Sequence, residues 1–253
     1  HDHLDDYSDM GAYLEAKLRL FTASQSRTGV VLVDTPAGRA VAQRSEVPVV
    51  TVSTNPDLPA DWTVAVLGLS SEGTRFRLSG PDGSSISTSV SLVGRHMASD
   101  CALAMVMLIS AGHSVDAVRR AAGDRIEVTV PGRSLLVSAA AGPRFYLDFS
   151  HTPDSIEKTV DALREITVGR VIVILGADGE RDPSKRGPMG RAAADGADLV
   201  IVTDHHPRYE NPAQIRRALL DGARAPHRAA VYEIEEPARA VRAAVGLAEP
   251  DDT

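Results

Sequence analysis

Cysteine occurs once in the 253 residues, at Cys101, which excludes a disulfide framework. That thiol lies in an apolar helical run and is expected to be an inert core group. No apolar run approaches the roughly 18 residues that a membrane span requires, and no basic-then-apolar leader precedes the first motif. A cytoplasmic protein without a membrane partner is expected. Positive charge is not in excess: a net charge of −7 and a pI of about 5.6 argue against nucleic acid as the main partner. Aromatic residues make up only 4% of the chain, yet at 43% hydrophobic it can bury a substantial core, and its length fits two α/β domains. Arginine heavily outnumbers lysine, and alanine is abundant, a bias attributed to GC-rich coding rather than to function. No Gly-x-x-x-x-Gly-Lys-Ser/Thr phosphate loop occurs, and the sequence opens at His1, without methionine and already inside a motif. The chain is therefore expected to be a piece of a longer protein.

What is present reads as an α/β rhythm. Leu14, Leu18 and Phe21 recur at helical spacing between Met10 and Ala23, with Asp9 as the cap. Strands are predicted at 29–34 and 48–53 around a short helix at 36–43. Three β-prone runs, 63–69, 74–78 and 86–92, are split by Glu72-Gly73 and by Gly80-Pro81-Asp82-Gly83, the pattern of an antiparallel meander. A helix over 97–111 follows, then another from the cap Ser114 to Gly123, and strand-like stretches at 125–130 and 135–139. The turn Ala141-Gly142-Pro143 sets the expected boundary between a domain over 1–142 and one over 143–253. Beyond it strand and helix alternate through 145–149, 154–166, 170–175, 185–194, 199–203, 212–220, 230–232 and 237–247. That alternation calls for parallel crossovers and a Rossmann-like sheet.

The densest signal is Tyr146-Leu147-Asp148-Phe149-Ser150-His151-Thr152-Pro153-Asp154. The run 144–149 has the apolar character of a buried strand, and Ile156, Val160 and Leu163 continue at helical spacing. Asp148 and His151 are thus expected at a strand's carboxyl end, where open α/β sheets bind ligands. An N-cap network holding the Pro153 helix would use the same residues. The segment resembles the DYAHTPD stretch that opens the C-terminal domain of the Mur ligases, the ATP-dependent amino-acid-adding enzymes of peptidoglycan synthesis. Three further segments fit that family in the same order: His1-Asp2-His3-Leu4-Asp5 with Lys17, Gly176 to Arg186, and Asp204 to Arg208. The likeness is greatest to the MurE-type members, and it implies the later part of a central ATPase domain followed by a Rossmann-like C-terminal domain.

The resemblance assigns roles residue by residue. His3 corresponds to the histidine that ligates magnesium, and Lys17 to the helical lysine that is carbamylated and so becomes an anion able to help bind Mg²⁺; read alone, this segment is a solvated, acid-rich helix entry. In Gly94-Arg95-His96-Met97-Ala98-Ser99-Asp100, Met97 and Asp100 stand where the family has asparagines that contact the nucleotide base region, which leaves Asp100 as the polar group there. Buried helix is the competing reading of that segment. Arg133 of Pro131-Gly132-Arg133 matches the arginine that approaches the ATP phosphates, although a turn with a surface arginine has the same sequence. Asp148 is carried over towards the ribose, and His151 towards the phosphates or substrate. Gly176-Ala177-Asp178-Gly179-Glu180-Arg181-Asp182-Pro183-Ser184-Lys185-Arg186 is similar to the GCGGDRDxxKR loop, with Asp178 in place of a glycine. Lys185 and Arg186 then position substrate on glycine-rich backbone that can approach an anion.

Asp204-His205-His206-Pro207-Arg208 aligns with the motif that recognises meso-diaminopimelate, where the arginine pairs with a carboxylate of the incoming amino acid; His206 replaces its asparagine. Adjacent histidines also raise a zinc site, but the sequence offers no further Cys or His at metal-ligand spacing.

The resemblance implies ATP and Mg²⁺ as cofactors, UDP-MurNAc-L-Ala-D-Glu and an amino acid as substrates, and a monomer. Two rivals remain: a related ligase acting on a different amine, and an inactive binding module that lacks the phosphate loop.

Overall fold

The computed structural model describes residues 6–138, 142–224 and 229–253, which form two compact units, Asp6–Thr129 and Val130–Thr253. The first unit opens on α1 (Met10–Leu18), capped by Asp9, whose carboxylate accepts from the Ala12 N–H at 2.9 Å. The helix does not run on to Ala23. It tightens into one 3-10 turn over Arg19–Phe21, and Thr22 leaves in an extended conformation while its hydroxyl donates back to the Arg19 carbonyl at 2.9 Å. Lys17 therefore sits in the last helical turn.

Strand β1 (Gly29–Leu32), helix α2 (Pro36–Arg44) and strand β2 (Val49–Ser53) make a parallel crossover. Thr35 caps α2 and Pro36 opens it. Strand β3 (Trp62–Ser70) lies parallel to β2, and β4 (Gly73–Ser79) and β5 (Ser85–Val90) continue from it as the expected antiparallel meander. Helices α3 (Arg95–Ser110) and α4 (Val115–Ala122) then lead to β6 (Arg125–Ile126), parallel to β5, so the six strands lie in sequence order. Met97, Ala98, Ala102 and Val106 of α3 pack on Trp62, Phe76, Leu78 and Ile86 to form one core. Burial, and secondarily the charge of Asp100, push the Cys101 thiol up to about 11. It stays protonated and unreactive, as expected.

The second unit begins with a short antiparallel pair, β7 (Leu135–Leu136) and β8 (Tyr146–Leu147). It continues as α5 (Pro153–Ile166), β9 (Ile172–Leu175), α6 (Arg186–Gly196), β10 (Leu199–Val202), α7 (Pro212–Ala223), β11 (Ala230–Glu233) and α8 (Pro237–Leu247). The three later strands form a parallel sheet ordered β11-β10-β9. All four residues of β10 are buried because both faces are covered. Val200 and Val202 pack with α5, α6 and α7, while Leu199 and Ile201 pack on Ala240 and Ala244 of α8. Helices α6 and α7 touch backbone to backbone: a Cβ on Gly190 would meet the Leu219 carbonyl oxygen at 2.0 Å, and one on Gly222 the Gly187 oxygen at 1.9 Å.

One expectation needs correction. The run 144–149 is not a buried strand of the parallel sheet: only Tyr146 and Leu147 pair, with β7, and Leu147 and Phe149 are 55% and 61% exposed. The Asp148 side chain turns the backbone aside by taking the Ser150 N–H, while the Phe149 N–H goes to the Gly132 carbonyl at 2.7 Å. The second compact unit begins at Val130, ahead of the β7–β8 pair and of Ser134, which binds Asp148.

Candidate ligand-binding loops

At the junction before α5, Pro131 and Gly132 form a turn closed by the Arg133 N–H on the Val130 carbonyl at 3.0 Å, and Gly132 has φ of +70°. Proline followed by a positive-φ glycine is the type II signature. Asp148 holds this turn to the helix beyond. One carboxylate oxygen accepts from the Ser134 N–H at 2.7 Å; the other accepts from the Ser150 N–H at 2.9 Å and the Ser150 hydroxyl, with Thr159 at 3.5 Å. Thr152 caps α5 in a capping box with Ser155. The Arg133 guanidinium is exposed over the Phe149 ring, 5.3 Å from its centroid, and has no ion-pair partner among the described residues. His151 is exposed, and its Nδ1 lies 2.9 Å from the Phe149 carbonyl. Since a carbonyl only accepts, Nδ1 is the donor in this contact, and the ring is further engaged within the fold.

The second set of groups lies at the carboxyl ends of the adjacent parallel strands β9 and β10. Their following loops are tied together. The Gly179 N–H donates to the His206 carbonyl at 2.8 Å, and a Cβ on Gly179 would lie 1.9 Å from the Pro207 oxygen, so only glycine fits there. Arg186, 5% exposed, grips both carboxylate oxygens of Glu210 at 2.8 Å and donates to the Asp178 carbonyl at 3.3 Å. Arg186 thus braces the loop. Lys185 is buried as well and is engaged within the fold. Asp204 accepts from Arg216, a 4%-exposed arginine that also binds Glu233 at 2.7 Å and Glu235 at 3.1 Å. That leaves His205, His206 and Arg208 as the exposed groups of the motif. Arg208 has φ of +52° and no partner among the described residues.

In the first unit, Lys17 is exposed, with its ammonium 5.1 Å from the Tyr13 ring centroid. A protonated amine repels a cation, so this lysine fits a magnesium site only after gaining carboxylate oxygens. His3, its expected companion, lies outside the described residues. Asp100 is exposed on α3, and Met97 is buried. Sequence reasoning missed Asp34, which follows β1 and accepts from the Ser53 hydroxyl at 2.6 Å and the Thr54 N–H at 3.0 Å. Burial raises its pKa, but the hydrogen bonds from Ser53, Thr54 and Asn55 outweigh it and leave the carboxyl below the ordinary range. Glu210 and Arg216 were missed too, since no linear spacing joins Glu210 to Arg186, 24 residues earlier.

Comparison with known proteins supplies the family. The Mur ligase middle domain profile matches residues 1–108, and the Mur ligase, glutamate ligase domain profile matches residues 132–253. The chain is 46% identical over 257 residues to a UDP-N-acetylmuramyl-tripeptide synthetase of Leifsonia xyli, covering 100% of this chain and 50% of that protein. It is 37% identical over 257 residues to a UDP-N-acetylmuramoyl-L-alanyl-D-glutamate–2,6-diaminopimelate ligase of Streptomyces coelicolor, with the same coverage of 100% and 50%. The chain therefore spans about half the length of the curated relatives it matches. A solved 2,6-diaminopimelate ligase structure superposes with a TM-score of 0.59 at 28% identity over 100% of this chain and 51% of that one. A Mycobacterium tuberculosis folylpolyglutamate synthase complexed with ADP shares the fold, with a TM-score of 0.72 at 22% identity over 98% of this chain and 54% of its own. With the two profiles falling one after the other along the same chain, and relatives of one kind aligned from end to end of it, this chain belongs to the Mur ligase family.

Proposed function

We propose that the whole protein containing this chain is an ATP-dependent amide ligase that adds the third amino acid, meso-diaminopimelate, to UDP-MurNAc-L-Ala-D-Glu. The activities for which the relatives are named support the reaction class. The single observation that supports the amino-acid role is Arg208, exposed at a strand's carboxyl end and without a partner among the described residues. In the reaction the substrate carboxylate attacks the terminal phosphorus of ATP, ADP leaves, and an acyl phosphate forms. The amine then attacks the acyl carbon, loses a proton, and the tetrahedral intermediate collapses with release of phosphate. Arg133, on its rigid turn, offers a fixed positive charge to phosphoryl oxygens. His151 lies beside the same turn, towards the phosphates or substrate, and Arg208 offers a forked pair of donors to a carboxylate of the amino acid. Magnesium would offset phosphate charge, held by His3 and by a carbamylated Lys17, with Asp100 towards the nucleotide.

His206 at the asparagine position of the motif favours a second reading, a ligase of the same family that takes a different amine. Arg208→Ala in the whole protein tests the first. The amino-acid KM should rise about 30-fold or more, equivalent to about 2 kcal/mol, while the KM for ATP stays put. An unchanged amino-acid KM removes Arg208 from recognition, and faster turnover with lysine than with meso-diaminopimelate in the unmutated protein selects the second reading.

A further inference from the structure

The loops after β9 and β10 bring together three groups that lie far apart in sequence. Asp178 Oδ1 is 3.6 Å from His205 Nε2 and 3.7 Å from His206 Nδ1, and the three ligand atoms lie within 4.8 Å of one another. Metal–ligand bonds of about 2.0–2.2 Å in a tetrahedral zinc site place the ligand atoms about 3.4 Å apart. Two of the three separations already match, and a small rotation of the exposed imidazoles closes the third. From this geometry we propose that Asp178, His205 and His206 form a binding site for a divalent transition metal of the zinc class.

A second, independent observation points to a ligand. Asp178 Oδ1 is buried and accepts no hydrogen bond. A buried carboxylate oxygen without a donor is costly, and a cation bound by the two imidazoles satisfies it. The histidines stand beyond hydrogen-bonding distance of that oxygen, so an ordinary Asp–His hydrogen bond does not account for the cluster. Both ligand-bearing segments are also fixed by their backbones, through Arg186 on the Asp178 carbonyl at 3.3 Å and the Gly179 N–H on the His206 carbonyl at 2.8 Å. Two imidazoles and one carboxylate favour zinc, cobalt or copper over magnesium, which prefers an all-oxygen shell. Because the histidine side chains are 52% and 76% exposed, the outer coordination positions face solvent, as in sites that exchange a fourth ligand. This inference does not rest on the ligase reading.

Zinc binding by the full chain, stripped of metal and free of any affinity tag, is measured by competition with a chromogenic chelator. Cobalt(II) absorption reports the geometry. The proposal expects a saturable zinc equivalent whose affinity falls about tenfold or more in His205→Gln and in His206→Gln. It also expects a tetrahedral cobalt spectrum that is lost in both variants. Asp178→Asn, which removes no hydrogen bond, should weaken zinc to a similar degree without lowering thermal stability. His113→Gln, in the first unit, should leave zinc binding as it is. No saturable binding overturns the site, as does binding that survives both histidine substitutions, since the metal then sits elsewhere, for example at His1 and His3.

Discussion

Arg186 and Glu210 form a two-pronged ion pair, with both carboxylate oxygens 2.8 Å from guanidinium nitrogens and the arginine only 5% exposed. It joins the loop after β9 to the loop after β10, so the position of Arg208, two residues before Glu210, depends on this pair. The Arg186 hydrogen bonds, followed by the Glu180 N–H, hold the Glu210 carboxyl below its usual range against the opposing effect of burial. A carboxyl with a depressed folded pKa contributes stability that is complete above the unfolded pKa and is lost as pH falls through the folded value. Glu210→Gln should therefore cost about 1–3 kcal/mol at neutral pH, and the gap from the unmutated protein should close below about pH 4. Urea unfolding at several pH values checks both parts. A gap that persists at low pH would mean that Glu210 acts through packing instead of charge.

The same loop contact gives a steric prediction. Gly179→Ala places a methyl group 1.9 Å from the Pro207 carbonyl oxygen, and neither backbone is free to move far while Gly179 donates to His206. The loops must separate, at a cost of about 2 kcal/mol or more. Gly246→Ala, where an added Cβ meets nothing within 4 Å, is the matched control. It should be neutral or slightly stabilising, by about 0.5 kcal/mol, because it lies inside α8. Thermal melts of the two variants compare them directly; equal melting temperatures would show that the loops are not locked.

These relationships mark how far the sequence could be read. The alternation of strand and helix in the second unit was legible because each strand is a short apolar run ended by glycine or a cap, and α5 declares itself through Thr152-Pro153. The meander was legible from Glu72-Gly73 and from the glycines around Pro81. Asp148 and Arg208 stood out as residue types in a motif, but what each one touches did not. The pairing of Arg186 with Glu210 was not legible because nothing in the linear order joins the two. Asp178 stood out only as a replacement for the loop's glycine, because His205 and His206 meet it only once β9 and β10 lie side by side. The strand expected before Asp148 failed for a related reason: a side chain able to accept from backbone N–H groups competes with the ladder, and propensity does not register that competition.

Asp148 yields a prediction that separates a structural role from ligand contact alone. Its two oxygens receive the Ser134 and Ser150 N–H groups at 2.7 and 2.9 Å. Asp148→Asn turns one acceptor into a donor facing a donor. The expected cost is about 1–3 kcal/mol in urea unfolding, together with loosening of the turn that carries Arg133. A carboxylate whose only task is to meet a nucleotide would change stability by no more than about 0.5 kcal/mol on the same substitution. If stability is unchanged while nucleotide affinity falls, the bracing role of Asp148 is wrong.

Asp252 offers the last test, because it and Glu249 reach the same arginine from very different environments. Asp252 is 3% exposed and accepts from the Arg170 N–H at 2.6 Å, from the Arg170 guanidinium at 2.7 and 3.1 Å, and from the Glu249 N–H at 2.9 Å. Around it, the Ile172 N–H donates to the Thr253 carbonyl at 2.8 Å and the Thr253 N–H to the Arg170 carbonyl at 2.9 Å, so Asp251–Thr253 lie against the β9 side of the sheet. Burial works to raise the Asp252 pKa, but the Arg170 side chain and the two backbone N–H groups bring it below the ordinary value. By contrast, Glu249 is 77% exposed and 3.5 Å from the guanidinium, a surface pair of little consequence. Asp252→Asn should lower the unfolding midpoint clearly, Glu249→Gln should not, and the Asp252 contribution should vanish as pH drops below the ordinary carboxylate range. Hydrogen exchange at Ile172 and Thr253 localises the effect: faster exchange there in Asp252→Asn alone means that this one carboxylate holds the segment to the sheet, whereas equal exchange in both variants means that the backbone bonds hold it unaided.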